Sequence, residues 1–114
     1  MRVTVDAHAL RNALGRLKPR TSRFRSLREA GVEITVEGDA LVLSGTLDSQ
    51  ASVPAAVDQG GAARIPLTPA IRLLGTYGKG ASVVIWAEPG KVWFDRFAFI
   101  TPEGVVQLDG PAGA

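Results

Sequence analysis

Residues 2–17, RVTVDAHALRNALGRL, predict a strand that runs directly into a helix. Residues 2–5 alternate polar with apolar side chains, which is typical of a half-buried strand. Asp6 follows at the position of a helix N-cap, where its carboxylate can accept a hydrogen bond from a free amide of the first turn. From Ala7 to Leu17 the apolar residues recur at helical spacing, and we expect the face that they share to lie in the core. That face is formed by Leu10, Ala13, Leu14 and Leu17.

The other face of this helix is polar and basic, and it begins a segment of concentrated positive charge. Residues 11–28 hold seven of the thirteen Lys and Arg residues of the chain and no acidic residue. The rest of the chain holds six basic and eleven acidic residues, so the formal net charge of +2 conceals a segment at +7. Such a local positive field favours a phosphate backbone or another polyanion as partner. A solvated basic loop without a partner is the alternative.

Length and composition restrict the class of protein. A chain of 114 residues fits one domain that buries roughly two thirds of its unfolded surface. Its hydrophobic content of 46% and charged content of 21% are typical of a globular protein rather than a disordered one. Cysteine is absent, which excludes disulfides and thiolate metal sites. The sequence shows neither a secretory start nor an apolar run long enough to span a membrane, so we expect a cytoplasmic protein without membrane contact.

Three strands are predicted after the basic segment. Residues 31–37 alternate apolar side chains with outward-facing polar ones, and Gly38-Asp39 predicts a turn. Residues 40–46 then return as an antiparallel partner. Residues 50–57 predict the third strand, and Pro54 within it favours an edge position because proline cannot donate to a strand ladder.

The pattern restarts after the glycine-containing residues 58–62. Residues 64–67 predict a short strand, and Thr68 with Pro69 predicts the N-cap and the first position of a second helix. Ile71, Leu73 and Leu74 form the apolar face of this helix, and Arg72 lies on the other side. Residues 82–87, 92–94 and 97–101 predict three further strands, and residues 104–108 predict a last short edge strand.

The predicted element order is therefore β-α-β-β-β twice, which indicates an internal structural duplication. We predict an α+β fold in one domain at residues 1–110, with pseudo-repeats at about residues 1–58 and 63–108 and a flexible tail at residues 111–114. Both helices would pack on one face of an antiparallel sheet. Because each outer helix face carries arginine, two helices lying side by side would form one basic surface.

Catalytic and metal sites find little support in the sequence. His8 is the only histidine, and its place on the first helical turn favours a surface residue over a member of a Ser-His-Asp triad. The glycines of residues 75–80 follow a helix rather than a strand, so they favour helix termination over a phosphate loop. The carboxylates are scattered over turns and outward strand faces, and we expect no metal, no cofactor and no enzymatic activity.

The aromatic residues of the second half admit two interpretations. They could form a base-stacking platform for single-stranded nucleic acid, or they could pack in the core, which strand alternation favours for most of them. Trp93 is the residue whose position on a hairpin near an edge could expose it to a partner. The set comprises Trp86, Trp93, Phe94, Phe97 and Phe99.

Several local strings, in their order and spacing, resemble one domain of the bacterial DNA polymerase sliding clamp, most closely its first domain. In the first half these are residues 1–5 with Leu10, Ala13 and Leu14, then residues 40–48 and residues 52–55. In the second half they are residues 65–67 leading into the helix at residues 68–74, then residues 83–85 and residues 91–93 around the turn Pro89-Gly90. The resemblance covers nearly the whole chain.

This resemblance implies a DNA-clamp domain. In that family, six such domains form a ring whose helices line a central hole for duplex DNA, without chemistry of their own. Phosphate contacts of this type give affinity without sequence preference. By position, the resemblance implies that the residues facing DNA are Arg11, Arg16, Lys18, Arg20, Arg23 and Arg72, and Arg25 of the same basic loop joins them as a candidate.

Clamps of this kind carry three such domains in one chain, whereas the resemblance here covers one. We therefore expect a homo-oligomer of about six copies, joined through the strand at residues 50–57 of one subunit and the C-terminal strand of the next. The leading hypothesis is a sliding-clamp-like processivity factor in DNA replication or repair, with DNA polymerase or other clamp-interacting proteins as further partners. The alternative is a clamp-fold interaction module, an accessory or decoy that binds a replication protein through an edge strand without encircling DNA.

Overall fold

A computed structural model of the chain describes residues 1–17, 31–45 and 50–100, together with the backbone of residues 107–108. The predicted tail at residues 111–114 and the beginning of the last predicted strand lie outside these ranges. Four of the seven cations predicted to contact DNA also lie outside the described residues, namely Lys18, Arg20, Arg23 and Arg25.

Nine strands and two helices lie within the described ranges. The helices are α1 (Ala7–Leu17) and α2 (Leu67–Leu74). The strands of the first half are β1 (Arg2–Asp6), β2 (Gly31–Glu37), β3 (Ala40–Ser44) and β4 (Gln50–Gln59). The strands of the second half are β5 (Gly61–Pro66), β6 (Ser82–Glu88), β7 (Lys91–Phe94), β8 (Phe97–Ile100) and β9 (Gln107–Leu108).

The strands form one antiparallel sheet in the order β8-β7-β6-β1-β4-β3-β2-β5-β9. Both helices contact each other and the sheet, α1 against β4 and β1, and α2 against β5. The prediction of an α+β fold with a repeated β-α-β-β-β unit is confirmed. The two repeats meet at Gly60, which alone separates β4 from β5.

Strand β4 joins the two halves of the sheet, and the predicted edge position of Pro54 is wrong. Residues 55–59 of β4 pair with β1, and residues 50–54 pair with β3. The Ala55 amide donates to the Asp39 carbonyl on the β3 side at 2.8 Å. Because successive strand residues direct their backbone groups to opposite sides, the nitrogen of Pro54 faces the β1 side, where the β1 ladder has ended. The sheet thus accommodates a proline in a central strand.

The predicted subunit contact through residues 50–57 fails for the same reason. Strand β4 lies inside the sheet, between β1 and β3 of the same chain, so it is not the edge strand that this contact requires. An edge contact between copies has to use a strand at an end of the sheet.

The N-cap predicted for α1 is present. The Oδ2 of Asp6 accepts a hydrogen bond from the amide of Ala9, the third residue of the helix, at 2.8 Å. The predicted apolar face is buried, and it packs with the inward side chains of the strands into one core. The buried residues of α1 are Ala7, Leu10, Ala13, Leu14 and Leu17.

Helix α2 begins two residues earlier than predicted, at Leu67 rather than Pro69, so Thr68 is not its N-cap. The cap position is held by Pro66, whose backbone is extended (φ −74°), and no side chain caps the helix there. Pro69 is then the third residue of the helix, where a missing amide is tolerated because the amides of the first turn have no partner within the helix. The burial pattern still follows helical spacing, with Leu67, Ala70 and Leu74 buried and Arg72 exposed.

Within the described residues, neither helix is long and apolar enough to cross a membrane.

Candidate nucleic-acid interface

The side chain of Arg11 in α1 lies next to the C-terminal end of α2. A Cβ placed on Gly75, the C-cap residue of α2, would lie 3.4 Å from Nε of Arg11 and 3.3 Å from the carbonyl oxygen of Arg72. The last carbonyls of a helix carry partial negative charge, so a guanidinium at this position is favoured. The absence of a side chain at Gly75 leaves room for this approach.

Three of the predicted DNA contacts lie within the described residues, and the structure exposes all three. Arg11 and Arg16 lie on the face of α1 opposite its buried leucines, and Arg72 lies on the exposed face of α2. The side chain of Arg11 reaches the C-terminal end of α2, whose last turn carries Arg72, although 61 positions of sequence separate the two residues. Arg16 lies further along α1, near its C-terminal end.

The two helices contain no acidic side chain, as their sequences AHALRNALGRL and LTPAIRLL show. Asp6 precedes α1, and its carboxylate is engaged in capping that helix. The exposed faces of the helices therefore present cations without a neutralising carboxylate of their own. A partner that supplies negative charge would complement this surface.

Solved structures share this arrangement of helices and sheet, although no protein-family model and no curated protein sequence matches the chain. The DNA polymerase sliding clamp of Caulobacter crescentus superposes with a TM-score of 0.68 at 22% sequence identity, over 97% of this chain and 31% of the clamp. The Helicobacter pylori beta clamp bound to a DNA ligase peptide gives a TM-score of 0.73 at 15% identity, over 87% of this chain and 29% of the clamp. A sliding clamp from Bartonella birtlesii gives 0.69 at 20% identity, over 88% of this chain and 28% of the clamp.

The chain has the sliding-clamp fold. The resemblance predicted from the sequence is thereby confirmed at the level of the fold. The chain spans less than one third of the length of each of these clamps, 31% of the Caulobacter protein.

In this sliding-clamp fold, a hydrogen-bond network that the sequence did not indicate holds the segment after α2. The hydroxyl of Tyr77 donates to Oδ2 of Asp95 at 2.6 Å, and the amide of Val84 in β6 donates to Oδ1 of the same carboxylate at 2.9 Å. Nε2 of His8 lies 3.1 Å from the carbonyl oxygen of Tyr77. The network therefore connects α1, the end of α2 and the turn between β7 and β8. It fixes the position of Gly75, two residues before Tyr77, relative to α1.

Asp95 lies in the turn between β7 and β8 with a positive φ of 57°, a backbone conformation that costs a non-glycine residue energy. The two hydrogen bonds of its carboxylate and the bond from its amide to the Val84 carbonyl, at 2.8 Å, compensate for that conformation. Burial, followed by the hydrogen bond to Asp95 and the charge of Asp95, raises the pKa of Tyr77 to about 12. Tyr77 therefore stays a neutral donor throughout the physiological range. Only a tertiary contact could reveal this pair, because 18 positions separate the two residues.

The aromatic residues divide between the core and the sheet face remote from the helices. Phe94 is buried and Phe99 packs edge-on against it, with ring centroids 5.2 Å apart. Trp86 and Trp93 stack on the remote face at 5.7 Å and an interplanar angle of 7°. Arg2 lies 5.7 Å from the ring centroid of Trp86 and Lys91 lies 5.9 Å from that of Trp93.

The contacts of Arg2 with Trp86, of Trp86 with Trp93 and of Trp93 with Lys91 argue against the stacking of a nucleobase on the two tryptophans. Each indole has its partner ring on one side and one of the chain's own cations beside it. The indole nitrogen of Trp93 also donates to Glu88 at 2.8 Å. A nucleobase would have to displace these contacts before it could stack.

Proposed function

We propose that the protein is a non-enzymatic DNA-binding protein that uses the sliding-clamp fold to hold duplex DNA against α1 and α2 without sequence preference. In this proposal it acts as a processivity factor in replication or repair. The observation that carries the proposal is that the side chain of Arg11 reaches the C-terminal end of α2, whose last turn carries the exposed Arg72, and that neither helix contains an acidic side chain. Arginine suits phosphate because its planar guanidinium offers paired donors.

Duplex DNA fits this surface better than single strands do. The described cations of the surface lie on the helices, and the aromatic pair that could stack on bases lies on the other side of the sheet and is engaged by the chain's own cations. We propose that Arg16 and the basic loop residues Lys18, Arg20, Arg23 and Arg25 extend the same contact.

The salt dependence of DNA binding tests this proposal. Each phosphate neutralised should contribute a slope of about −0.9 to the plot of log affinity against log salt concentration. Replacement of both helix arginines, Arg11→Glu with Arg72→Glu, should weaken binding at least tenfold and reduce the magnitude of the slope by about two. The control matched in charge to Arg11→Glu alone is Lys91→Glu, which reverses an exposed charge on the remote face of the sheet and should leave binding almost unchanged.

Equal losses of affinity for Arg11→Glu alone and for Lys91→Glu would indicate a general charge effect and contradict the proposal. A DNA affinity of the unchanged protein that does not fall as the salt concentration rises would contradict the proposal. Because the sequences of the DNA duplexes should not matter, two unrelated duplexes of equal length should bind with the same affinity.

A second candidate function is a clamp-fold interaction module that binds a replication protein through an edge strand without encircling DNA. Strand β8 favours it, because it ends the sheet and exposes Phe97 and Ile100. The Helicobacter pylori clamp, which shares the fold, has been seen with a DNA ligase peptide. Under this candidate, the pure protein would show no DNA binding at physiological salt, and a peptide of a replication protein would bind to it in a manner abolished by a change in β8.

A further inference from the structure

The segment that follows α2, residues 75–81, lies along the N-terminal half of α1. The amide of Ala7, the first residue of α1, donates to the carbonyl of Ala81 at 2.9 Å. One turn further along α1, the side chain of Arg11 lies next to Gly75. The partner in the segment moves backward as α1 moves forward, so the two run antiparallel. The segment is therefore held beside α1 at both of its ends.

Lys79 lies in the part of this segment that a tight turn closes. The amide of Ala81 donates to the carbonyl of Gly78 at 3.0 Å, and Gly80 has the positive φ of 80° that is typical of the third position of a type II turn. The carbonyl of Tyr77, just before this turn, lies 3.1 Å from the ring nitrogen of the histidine in the first turn of α1. The backbone of Lys79 is thus fixed between two contacts with the beginning of α1.

The ammonium group of Lys79 carries a charge that the described part of the chain does not pair. Lys79 is exposed, and within the described ranges its side chain has no ion-pair or hydrogen-bond partner. Two carboxylates adjoin the segment, and both have their oxygens engaged elsewhere. Asp6 caps α1, and Asp95 accepts two hydrogen bonds and is followed by the exposed Arg96. The cation of Lys79 is therefore available to a partner from outside the chain.

The rest of the chain does not cover this turn. Gly78 and Gly80, the residues on either side of Lys79, are both exposed. No described atom lies within 4 Å of the position that a Cβ would occupy at either glycine. A large partner that lies on α1 can therefore reach the turn without displacing any part of the described chain.

We propose that Lys79 contacts the phosphate backbone of duplex DNA, so that the DNA-binding surface of α1 and α2 continues over the turn at residues 78–81. This proposal rests on the proposed function and adds a residue from outside the helices to it. The sequence indicated only helix termination for this glycine-containing segment, because the contacts that hold it beside α1 join distant positions, 69 apart in the case of His8 and Tyr77.

The position of Lys79 makes the surface long enough for several phosphates. Helix α1 has 11 residues, which corresponds to a length of about 16 Å. Lys79 lies beside its N-terminal end and Arg16 lies near its C-terminal end, with Arg11 between them. The phosphates of each DNA strand recur about every 3.4 Å along the duplex axis. Cations spread over the length of α1 therefore fit an extended phosphate backbone better than a single nucleotide.

Charge reversal at two exposed lysines tests this contact. Lys79→Glu should weaken the binding of a labelled duplex at least threefold, and it should reduce the magnitude of the slope of log affinity against log salt concentration by about one. Lys91→Glu is the matched control, since it makes the same substitution at an exposed lysine on the remote face of the sheet. It should leave both the affinity and the slope almost unchanged. Lys79→Arg keeps the charge and should bind within about twofold of the unchanged protein.

Two results would overturn the contact: equal effects of Lys79→Glu and Lys91→Glu, or a loss with Lys79→Arg as large as that with Lys79→Glu. The second result would mean that the charge of Lys79 is not what binds. Thermal unfolding checks the fold, because an exposed and unpaired lysine should not change the melting temperature. If Lys79→Glu melts earlier, Lys79→Gln replaces it, since glutamine removes the cation without adding an acid.

The proposed function fails in a different way. If Arg11→Glu with Arg72→Glu binds DNA as the unchanged protein does, the helices are not the DNA-binding surface and the proposed function is wrong. If that double variant loses affinity while Lys79→Glu does not, the helices bind DNA and only the extension over residues 78–81 is wrong.

Discussion

The side chain of Arg11 in α1 lies next to Gly75 at the end of α2. Its Nε is 3.4 Å from the position that a Cβ of residue 75 would occupy. Gly75 has ordinary right-handed helical backbone geometry (φ −65°), so the backbone does not demand glycine there. A side chain larger than a methyl group at this position would compete with Arg11 for space. The C-cap glycine thus leaves room for an arginine that is 64 positions away in sequence.

Gly75→Leu should turn Arg11 away from α2 and weaken DNA binding by about threefold to tenfold, less than the removal of a charge-assisted hydrogen bond would. The folded protein should keep its stability within about 1 kcal/mol, because the position is exposed and the backbone conformation suits leucine. Fluorescence anisotropy with a labelled duplex measures the affinity. Gly78→Leu is the matched control, since that exposed glycine of the same segment has open space around its Cβ position. Equal effects of the two substitutions would contradict the role assigned to Gly75.

Tyr77 should make the stability of the protein fall at high pH. The pKa of its hydroxyl is about 12 in the folded protein against an ordinary value of 10, so the unfolded chain loses this proton first. The resulting stabilisation is fully present below pH 10 and is lost as the pH rises from 10 toward 12. Urea unfolding across this range, compared between the protein and Tyr77→Phe, isolates the effect from the titration of lysines. We expect the free energies of unfolding of the two proteins, plotted against pH, to converge as the pH rises. Parallel plots would contradict the burial and hydrogen bonding of Tyr77.

Asp95→Ala should destabilise the protein by roughly 2–4 kcal/mol, because the amide of Val84 and the hydroxyl of Tyr77 lose their acceptor. It would also place alanine at a positive φ of 57°. Asp95→Gly removes the same hydrogen bonds but relieves the backbone, so it should cost about 1 kcal/mol less. The denaturant midpoints of the unchanged protein, Asp95→Gly and Asp95→Ala should decrease in that order. Equal stability of the alanine and glycine variants would mean that the backbone of Asp95 is not strained.

Much of the local structure could be predicted because its causes lie within a few residues. The bounds predicted for α1 and β2 agree with the structure, since apolar spacing and the Asp6 cap act over one or two turns. The start of helix α2 was predicted two residues late. Thr68 carries a capping side chain, but the extended Pro66 takes the cap position because β5 continues up to it. A local propensity was overridden there by the strand that precedes the helix.

Strand order could not be predicted in the same way, and Pro54 shows why. A proline disfavours a central strand only if its nitrogen faces a strand that is paired there. Whether the nitrogen of Pro54 does so depends on where β1 ends beside β4. The positions of the helix arginines could be predicted from the sequence only in part. Helical spacing predicted that Arg11 and Arg72 face outward, but not that the side chain of Arg11 reaches the end of α2 that carries Arg72.

The sequence by itself determined the repeated order of strands and helices, the buried face of each helix and the concentration of positive charge near the N-terminus. These properties follow from side-chain periodicity and composition, which act over short separations. The tertiary structure alone decided that β4 is central, that β8 is left at the edge and that Arg11 crosses Gly75. Each of these depends on contacts between distant segments, whose geometry is set by packing and hydrogen bonding across the sheet rather than by any local pattern.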